Sequence, residues 1–412
     1  MASEDEDVRI LRDIRELDDR TKNIRELDPT DVIILKDNER LRWSVPSHVR
    51  ETRHLRGAEA EVFAVVDSTG KRAAKKAYFA VPGTPKGEPT INIEIQIYQV
   101  LKNVPYTMDF LGCVQRNGKA GPIIESYLSP WCVNSLRDLV GPGNERESRA
   151  EWFANLSGDQ KWQRICIILL QVSRALSLFH GLEQPVIHHD IKPEKILLHP
   201  ETHSIIYIDF GVARICSDGP TAYAPGGTKT YSSPEFLDDA VTNRKSDVFS
   251  LGCVIIELLA KSTGKNIARF RKYRKEDRIL VDGKCVRNPS VKNVRFSGDP
   301  DLPRDDSFAR HAETVTAYVD HMRKPGVLQK LCDIATSCIS HEPRNRLSAS
   351  GLHMELRKIL LPEIDEGARR EFPSLEMSPA SSNSSLVVRP DSADSSEDEG
   401  QDLRKFIKQV TL

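Results

Sequence analysis

Residues 186–198 read VIHHDIKPEKILL, and residues 204–211 read SIIYIDFG. Val186 and Ile187 lead into a polar turn carrying His188, His189, Asp190, Lys192, Glu194 and Lys195, after which Ile196 to Leu198 restore an apolar run. The chain then reads as a hairpin with its turn at His199 to His203, so that a single hairpin separates Asp190 from Asp209. Immediately upstream, residues 162–180 place Ile165, Leu169, Val172, Leu176 and Phe179 on one face at helical spacing, the pattern of a helix packed in a core. Taken alone, a His-Asp-x-Lys string reads as a surface turn and a DFG tripeptide carries little information. Joined in this order behind a core helix, the two mark a site.

Further motifs extend the pattern toward the C-terminus. GTKTYSSPE occupies 227–235, the apolar run SDVFSLGCVIIELL occupies 246–259, and PRNRLSA occupies 343–349. Taken with the first two, they resemble the protein kinase family: its catalytic loop H-R-D-x-K-x-x-N, its DFG, its A-P-E at Ser233-Pro234-Glu235, and the buried helix that follows. The resemblance implies a bilobal α+β fold, with a small β-rich N-lobe and a larger helical C-lobe. It implies that Asp190 accepts or orients the proton of an attacking hydroxyl, and that Lys192 touches the γ-phosphate, as in serine/threonine kinases. Asp209 would hold Mg²⁺. Asp247 would hydrogen-bond the catalytic-loop backbone, and Arg346 would be the partner that makes a buried Glu235 tolerable.

The N-terminal part shows the same order with weaker motifs. HLRGAEAEVFAVV at 54–66 stands where the family has its glycine-rich phosphate loop, but Gly57 is the one glycine left, with Ala58 and Ala60 as small replacements and Glu59 between them. Val62 on the following strand joins Gly57, Ala58 and Ala60 in the nucleotide-contact set that the resemblance implies. Val62 to Asp67, a turn at Ser68 to Gly70, and Arg72 to Phe79 read as a hairpin. In RAAKKAYF, strand alternation puts Ala74 and Lys76 on one face. By resemblance Ala74 covers adenine and Lys76 pairs with the α- and β-phosphates, with Lys75 the competing choice. Glu94, in the helical run NIEIQIYQVL, is the expected partner of Lys76. PIIESYL at 122–128 resembles the strand entering the hinge, with Ile124 as gatekeeper and Glu125 offering backbone groups to adenine.

Two departures fall in the catalytic loop. His189 replaces the arginine that clamps a phosphorylated activation segment, and a mostly neutral imidazole makes no strong phosphate clamp. Lys195 replaces the asparagine that binds a second metal ion. An ammonium offers only donors and cannot coordinate Mg²⁺. A second ion is therefore not expected, and Lys195 either supplies part of its charge or marks a site that has lost transfer chemistry.

The whole chain of 412 residues exceeds the span of one hydrophobic core, and its 39% hydrophobic and 29% charged residues are those of a globular protein. A net charge of -1 gives no overall reason to expect nucleic acid or a membrane as partner. Eight cysteines are scattered singly, without zinc spacing, as in reduced compartments. The acidic start MASEDEDVRI lacks the features of a signal peptide, and no apolar run approaches membrane-spanning length, so a cytoplasmic or nuclear protein is expected. Residues 1–47 read as a charged, partly helical extension, and 48–361 as the kinase domain. Within it, the N-lobe is 48–125 and the C-lobe 126–361, with an insertion at about 261–309 whose basic stretch reads as a solvated loop or helix. From 362 the composition turns acidic and serine-rich, as in a mostly disordered tail, and LRKFIKQVTL at its end reads as a small amphipathic helix. Two functions from different classes fit these features. One is an ATP- and Mg²⁺-dependent serine/threonine kinase acting on protein hydroxyls, and the other is a pseudokinase that binds nucleotide as a scaffold or allosteric partner.

Overall fold

The structure is a computed structural model that describes residues 24–29, 32–34, 40–43, 60–79, 87–118, 121–141, 150–215, 221–222, 228–239, 241–275, 278–281, 284–287 and 306–371. Strands β1 (Val32–Ile34), β2 (Ala60–Val66) and β3 (Arg72–Phe79) precede helix α1 (Gly87–Val100), which is followed by β4 (Asp109–Gly118) and β5 (Gly121–Ser129). Helix α2 (Gly158–His180), the hairpin of β6 (Ile196–Leu198) and β7 (Ile205–Tyr207), and helices α3 (Arg244–Ser262), α4 (Ile267–Lys275), α5 (Ala312–Met322), α6 (Val327–Cys338) and α7 (Ala349–Leu360) complete the frame. A β-sheet lobe followed by a helical lobe is the α+β bilobal architecture expected. Among the described residues, no helix is long and apolar enough to cross a membrane.

The N-lobe sheet has the order β1-β4-β5-β3-β2, antiparallel except for the parallel β1–β4 pair. The β2–β3 turn is closed by Asp67, whose Oδ1 accepts from Thr69 N at 2.9 Å and Lys71 N at 2.9 Å, an aspartate turn of the kind that pins hairpin register. Ala73, Ala74, Ala77 and Tyr78 of β3 are all buried, so both faces of this central strand are covered. In the helical lobe α2 starts at a capping box of Ser157 and Gln160. Helix α3 is buried along nearly its whole length, as a helix apolar on all sides must be. It passes so close to α6 that a Cβ on Gly252 would lie 2.6 Å from Cys338 Cβ.

Several boundaries differ from the sequence expectation. The described part of the N-terminal extension is extended rather than helical: Ile24–Arg25 pairs with Arg40–Leu41, and β1 joins the lobe sheet. The helical reading of residues before 24 lies outside the described residues. Leu27, Leu41 and Trp43 pack with Val65, Ala73, Val114 and Tyr127, so the folded unit begins before 48. Strand β5 runs to Ser129, past the expected lobe boundary. In the insertion, α4 is not solvated all round. Ile267, Phe270 and Arg274 are buried, and the Arg274 guanidinium lies between the Phe270 and Phe308 rings at 4.5 and 3.9 Å, with Nε donating to Asp306 O at 3.0 Å. Past 361, Ile364 is buried and a helix spans Glu366–Glu371; the tail beyond 371 and its terminal helix lie outside the described residues.

Candidate active site

The cleft between sheet and helices gathers its side chains from four places. From β3, Lys76 Nζ donates to Glu94 Oε1 at 3.0 Å and Oε2 at 2.8 Å, and to Asp209 Oδ1 at 2.9 Å. Tyr78, two residues along the same face, donates from its hydroxyl to Glu94 Oε2. Burial works to lower the Lys76 ammonium, but Glu94 overrides it and holds the pKa above its ordinary value, so the group is charged. Lys75 points to the other face, where Glu125 Oε1 lies at 2.9 Å and the Phe63 ring beneath it at 4.9 Å. Alternation thus separates two adjacent lysines into different ion pairs, and it is Lys76 that reaches the cleft.

Helix α1 is held against the cleft by aromatic packing. Tyr98, one turn beyond Glu94, meets the Phe210 ring edge-on at 5.4 Å and stacks on Phe110 at 6.2 Å. Phe210 in turn lies 4.8 Å from the His188 ring. Beneath it the buried Asp247 fixes the catalytic-loop backbone, accepting from His188 N at 2.8 Å and His189 N at 2.9 Å, with His180 Nε2 at 2.9 Å. Burial disfavours the Asp247 carboxylate, yet His180, His189 and His188 hold its pKa below the usual range. This anchoring supports left-handed backbone at His189 (φ 66°), a conformation that a non-glycine residue keeps only where its surroundings over-determine it, and Asp209 is left-handed as well (φ 65°).

On the catalytic loop, Asp190 Oδ2 accepts from Lys192 Nζ at 2.8 Å and Oδ1 accepts from Thr228 N at 3.1 Å, while Lys192 Nζ also donates to Thr228 Oγ1. The Lys195 ammonium contacts Asp209 Oδ2. Burial, with Lys192 and Lys76 adding to it against the pull of Asp190, pushes the Lys195 pKa down to about 8. His189 is pushed down to about 4, by burial first and then by Arg214, His188 and His180, with Asp247 opposing, so its ring is neutral at pH 7. Behind the loop, Arg346 holds Glu235 in a two-pronged pair, 2.8 Å on each side, and spends its other hydrogens on the carbonyls of Ser340, His341 and Lys245.

The structure brings together Asp190, Lys192, Lys76, Glu94 and Asp209. On the adjoining β2–β3 pair, Val62 lies opposite Lys76 and Ala60 opposite Tyr78, while Ala74 lies opposite Leu128 of β5. Gly57 and Ala58 lie outside the described residues. Glu125 does not take its expected place. It sits inside β5, paired with Ala77 on one side and Val114 on the other, so its backbone polar groups belong to the sheet. Its carboxylate binds Lys75, Arg116 and Tyr127 on the face away from Lys76. Ile124 likewise stands opposite Tyr78 and packs with Ile95 and Cys113, whereas Ser126 is the residue across from Lys76. Sequence reasoning missed Tyr78 and His180. Tyr78 carried a signal, its place two residues after Lys76 on the same strand face; His180, at a helix end, carried none.

Three ammoniums, from Lys76, Lys192 and Lys195, converge around Asp190 and Asp209, a donor set suited to a polyphosphate. It is not suited to a pair of divalent ions. Both Asp209 oxygens are engaged by ammoniums, and Lys195 brings donors where a ligand oxygen would be needed.

Residues 55–355 match the protein kinase domain. The leucine-rich repeat receptor-like protein kinase PEPR2 of Arabidopsis thaliana is 38% identical over 219 residues, covering 52% of this chain and 18% of that protein. A putative receptor-like protein kinase of the same plant is 30% identical over 251 residues, covering 60% of this chain and 51% of its own length. An EPD1-interacting receptor-like cytoplasmic serine/threonine-protein kinase, 5D, of Gossypium barbadense is 28% identical over 250 residues, 60% of this chain and 49% of that protein. The chain thus spans about half the length of these relatives, or less.

Proposed function

The chain belongs to the protein kinase family, whose members in general use ATP and a divalent metal, and from that premise we propose that it transfers the γ-phosphoryl group of ATP to serine or threonine hydroxyls of proteins. The observation that carries the reading is the simultaneous presence of two assembled parts: the Lys76–Glu94–Asp209 chain and the Asp190–Lys192–Thr228 group. In the first, Glu94 aims the Lys76 ammonium at the α- and β-phosphates. In the second, an acceptor hydroxyl donates to Asp190, which orients its oxygen for in-line attack and takes its proton as the P–O bond forms and the bond to ADP breaks. Lys192, already on Asp190, balances negative charge on the transferring phosphoryl. Lys192 and the names of relatives such as the Gossypium barbadense kinase support the serine/threonine class. In this reading the backbone that meets the adenine edge lies after Ser129, where β5 ends, rather than at Glu125.

The grip of Lys195 on Asp209 favours a second reading, a nucleotide-binding pseudokinase. Purified protein incubated with γ-labelled ATP and a mixture of acceptor proteins separates the two. Label transfer that disappears in Asp190→Ala supports the enzyme. Equal labelling by both proteins, or none by either while ATP still binds, removes it.

A further inference from the structure

Lys195 closes the short turn Pro193–Lys195, and its carbonyl accepts from Ile208 N at 3.0 Å. The next residue, Ile196, is in register with Tyr207 across the β6–β7 pair. These backbone contacts fix Lys195 directly beside Asp209, where its ammonium meets Oδ2 while Lys76 meets Oδ1. The Lys195 side chain is still 21% exposed, so it faces the cleft rather than the core. At this point the site therefore carries an ammonium held by the backbone, delivered by the chain itself.

We propose that the Lys195 ammonium takes the place of a divalent ion, so that the cleft binds a nucleoside triphosphate free of metal. The proposal rests on the reading of the cleft as a nucleotide site, and it extends that reading to the ionic form of the ligand. An ammonium opposes a divalent ion at close range, since like charges repel and a doubly charged ion is repelled about twice as strongly as a singly charged one. The same ammonium donates up to three hydrogen bonds to phosphate oxygens. With Lys76 and Lys192 it brings three ammoniums to the phosphate region against the carboxylates of Glu94, Asp190 and Asp209, and replacing it with asparagine would leave that set with an excess negative charge. Three ammoniums answer the negative charge that a metal-free triphosphate carries undiminished.

The test is equilibrium binding of a fluorescent ATP analogue to the full chain, in EDTA and in millimolar Mg²⁺. For the unaltered protein the two dissociation constants should agree within about threefold. Lys195→Asn should lose about tenfold or more in EDTA and regain it with Mg²⁺, whereas Lys195→Arg, which keeps the charge, should bind without metal. Thermal melting of each variant reports whether it is folded, and the unaltered protein's own comparison does not depend on either variant. A tenfold loss in EDTA for the unaltered chain overturns the proposal, as does metal-free binding by Lys195→Asn equal to that of the parent. Absence of binding under every condition overturns the nucleotide site as a whole. Metal-free binding without phosphoryl transfer leaves this inference standing and removes the kinase reading alone.

Discussion

Lys75 and Lys76 are chemically identical neighbours whose difference comes entirely from the pleat of β3. Lys76 shares the buried Glu94 with Tyr78 and touches Asp209; Lys75 shares Glu125 with Arg116 and Tyr127 on the opposite face. Lys76→Met should therefore lower kcat/KM for phosphoryl transfer by at least about 100-fold, roughly 2.7 kcal/mol of transition-state stabilisation. Lys75→Met should change it by less than about threefold, although it weakens an ion-pair cluster and lowers stability by about 1 kcal/mol. Transfer assays on the two variants side by side decide the matter, and a reversed order of effects would assign the phosphate contact to Lys75. Sequence alternation together with Glu94 was enough to favour Lys76. It was not enough for Glu125, because the strand end that frees a backbone for a ligand depends on how β5 registers against β3 and β4. In the register observed, β5 stays paired through Ser129, four residues beyond Glu125.

Elements differ in how much of their placement is written locally. Helix α2, the Asp190 turn and the β6–β7 hairpin were legible because each satisfies its own periodicity and because their geometry requires particular side chains at fixed intervals. Strand β1 was not: three residues, Val32–Ile34, acquire their state only by pairing with Cys113–Gln115, far along the chain. Helix α4 reads as solvated because its composition is basic, whereas Phe270 on the same helix, together with Phe308 and the Asp306 carbonyl from a distant segment, makes burial of Arg274 tolerable. The α3–α6 crossing shows the opposite case, a local residue with a long-range demand. Gly252 has no room for a methyl group, since its Cβ would meet Cys338 Cβ at 2.6 Å and Ile339 Cγ2 at 3.1 Å. Gly252→Ala gains helix propensity but must separate two buried helices, and a net loss of about 1–3 kcal/mol is expected. A lower urea midpoint with unchanged slope would show it; an unchanged or higher midpoint would mean that the crossing relaxes freely.

At the scale of the whole molecule, buried histidines set the response to acid. His189 and His353 are each pushed down to about 4, by burial first, and His188 is lowered as well. Their folded pKa values lie below the unfolded value of about 6.5. The unfolded chain then binds more protons, so the stability they permit is fully present above about pH 6.5 and is lost as pH falls toward 4. His189 and His353 each add a slope of about 1.4 kcal/mol per pH unit in that window, and His188 acts with the same sign. Asp247 and Glu235, whose pKa values are lowered, act with the same sign at still lower pH. Urea midpoints should hold from pH 7.5 to about 6.5 and fall steadily from there to 5, and a flat profile throughout would contradict neutral burial of these rings. The parallel pairing of β1 has its own consequence at this scale. Without it, the row of backbone groups along Cys113–Gln115 would stand open as a template for another chain, the hazard that leads sheet proteins to self-associate. By laying a strand of only three residues there, the N-terminal segment leaves an outer rim too short to recruit a foreign strand, and so protects the sheet against aggregation from that side.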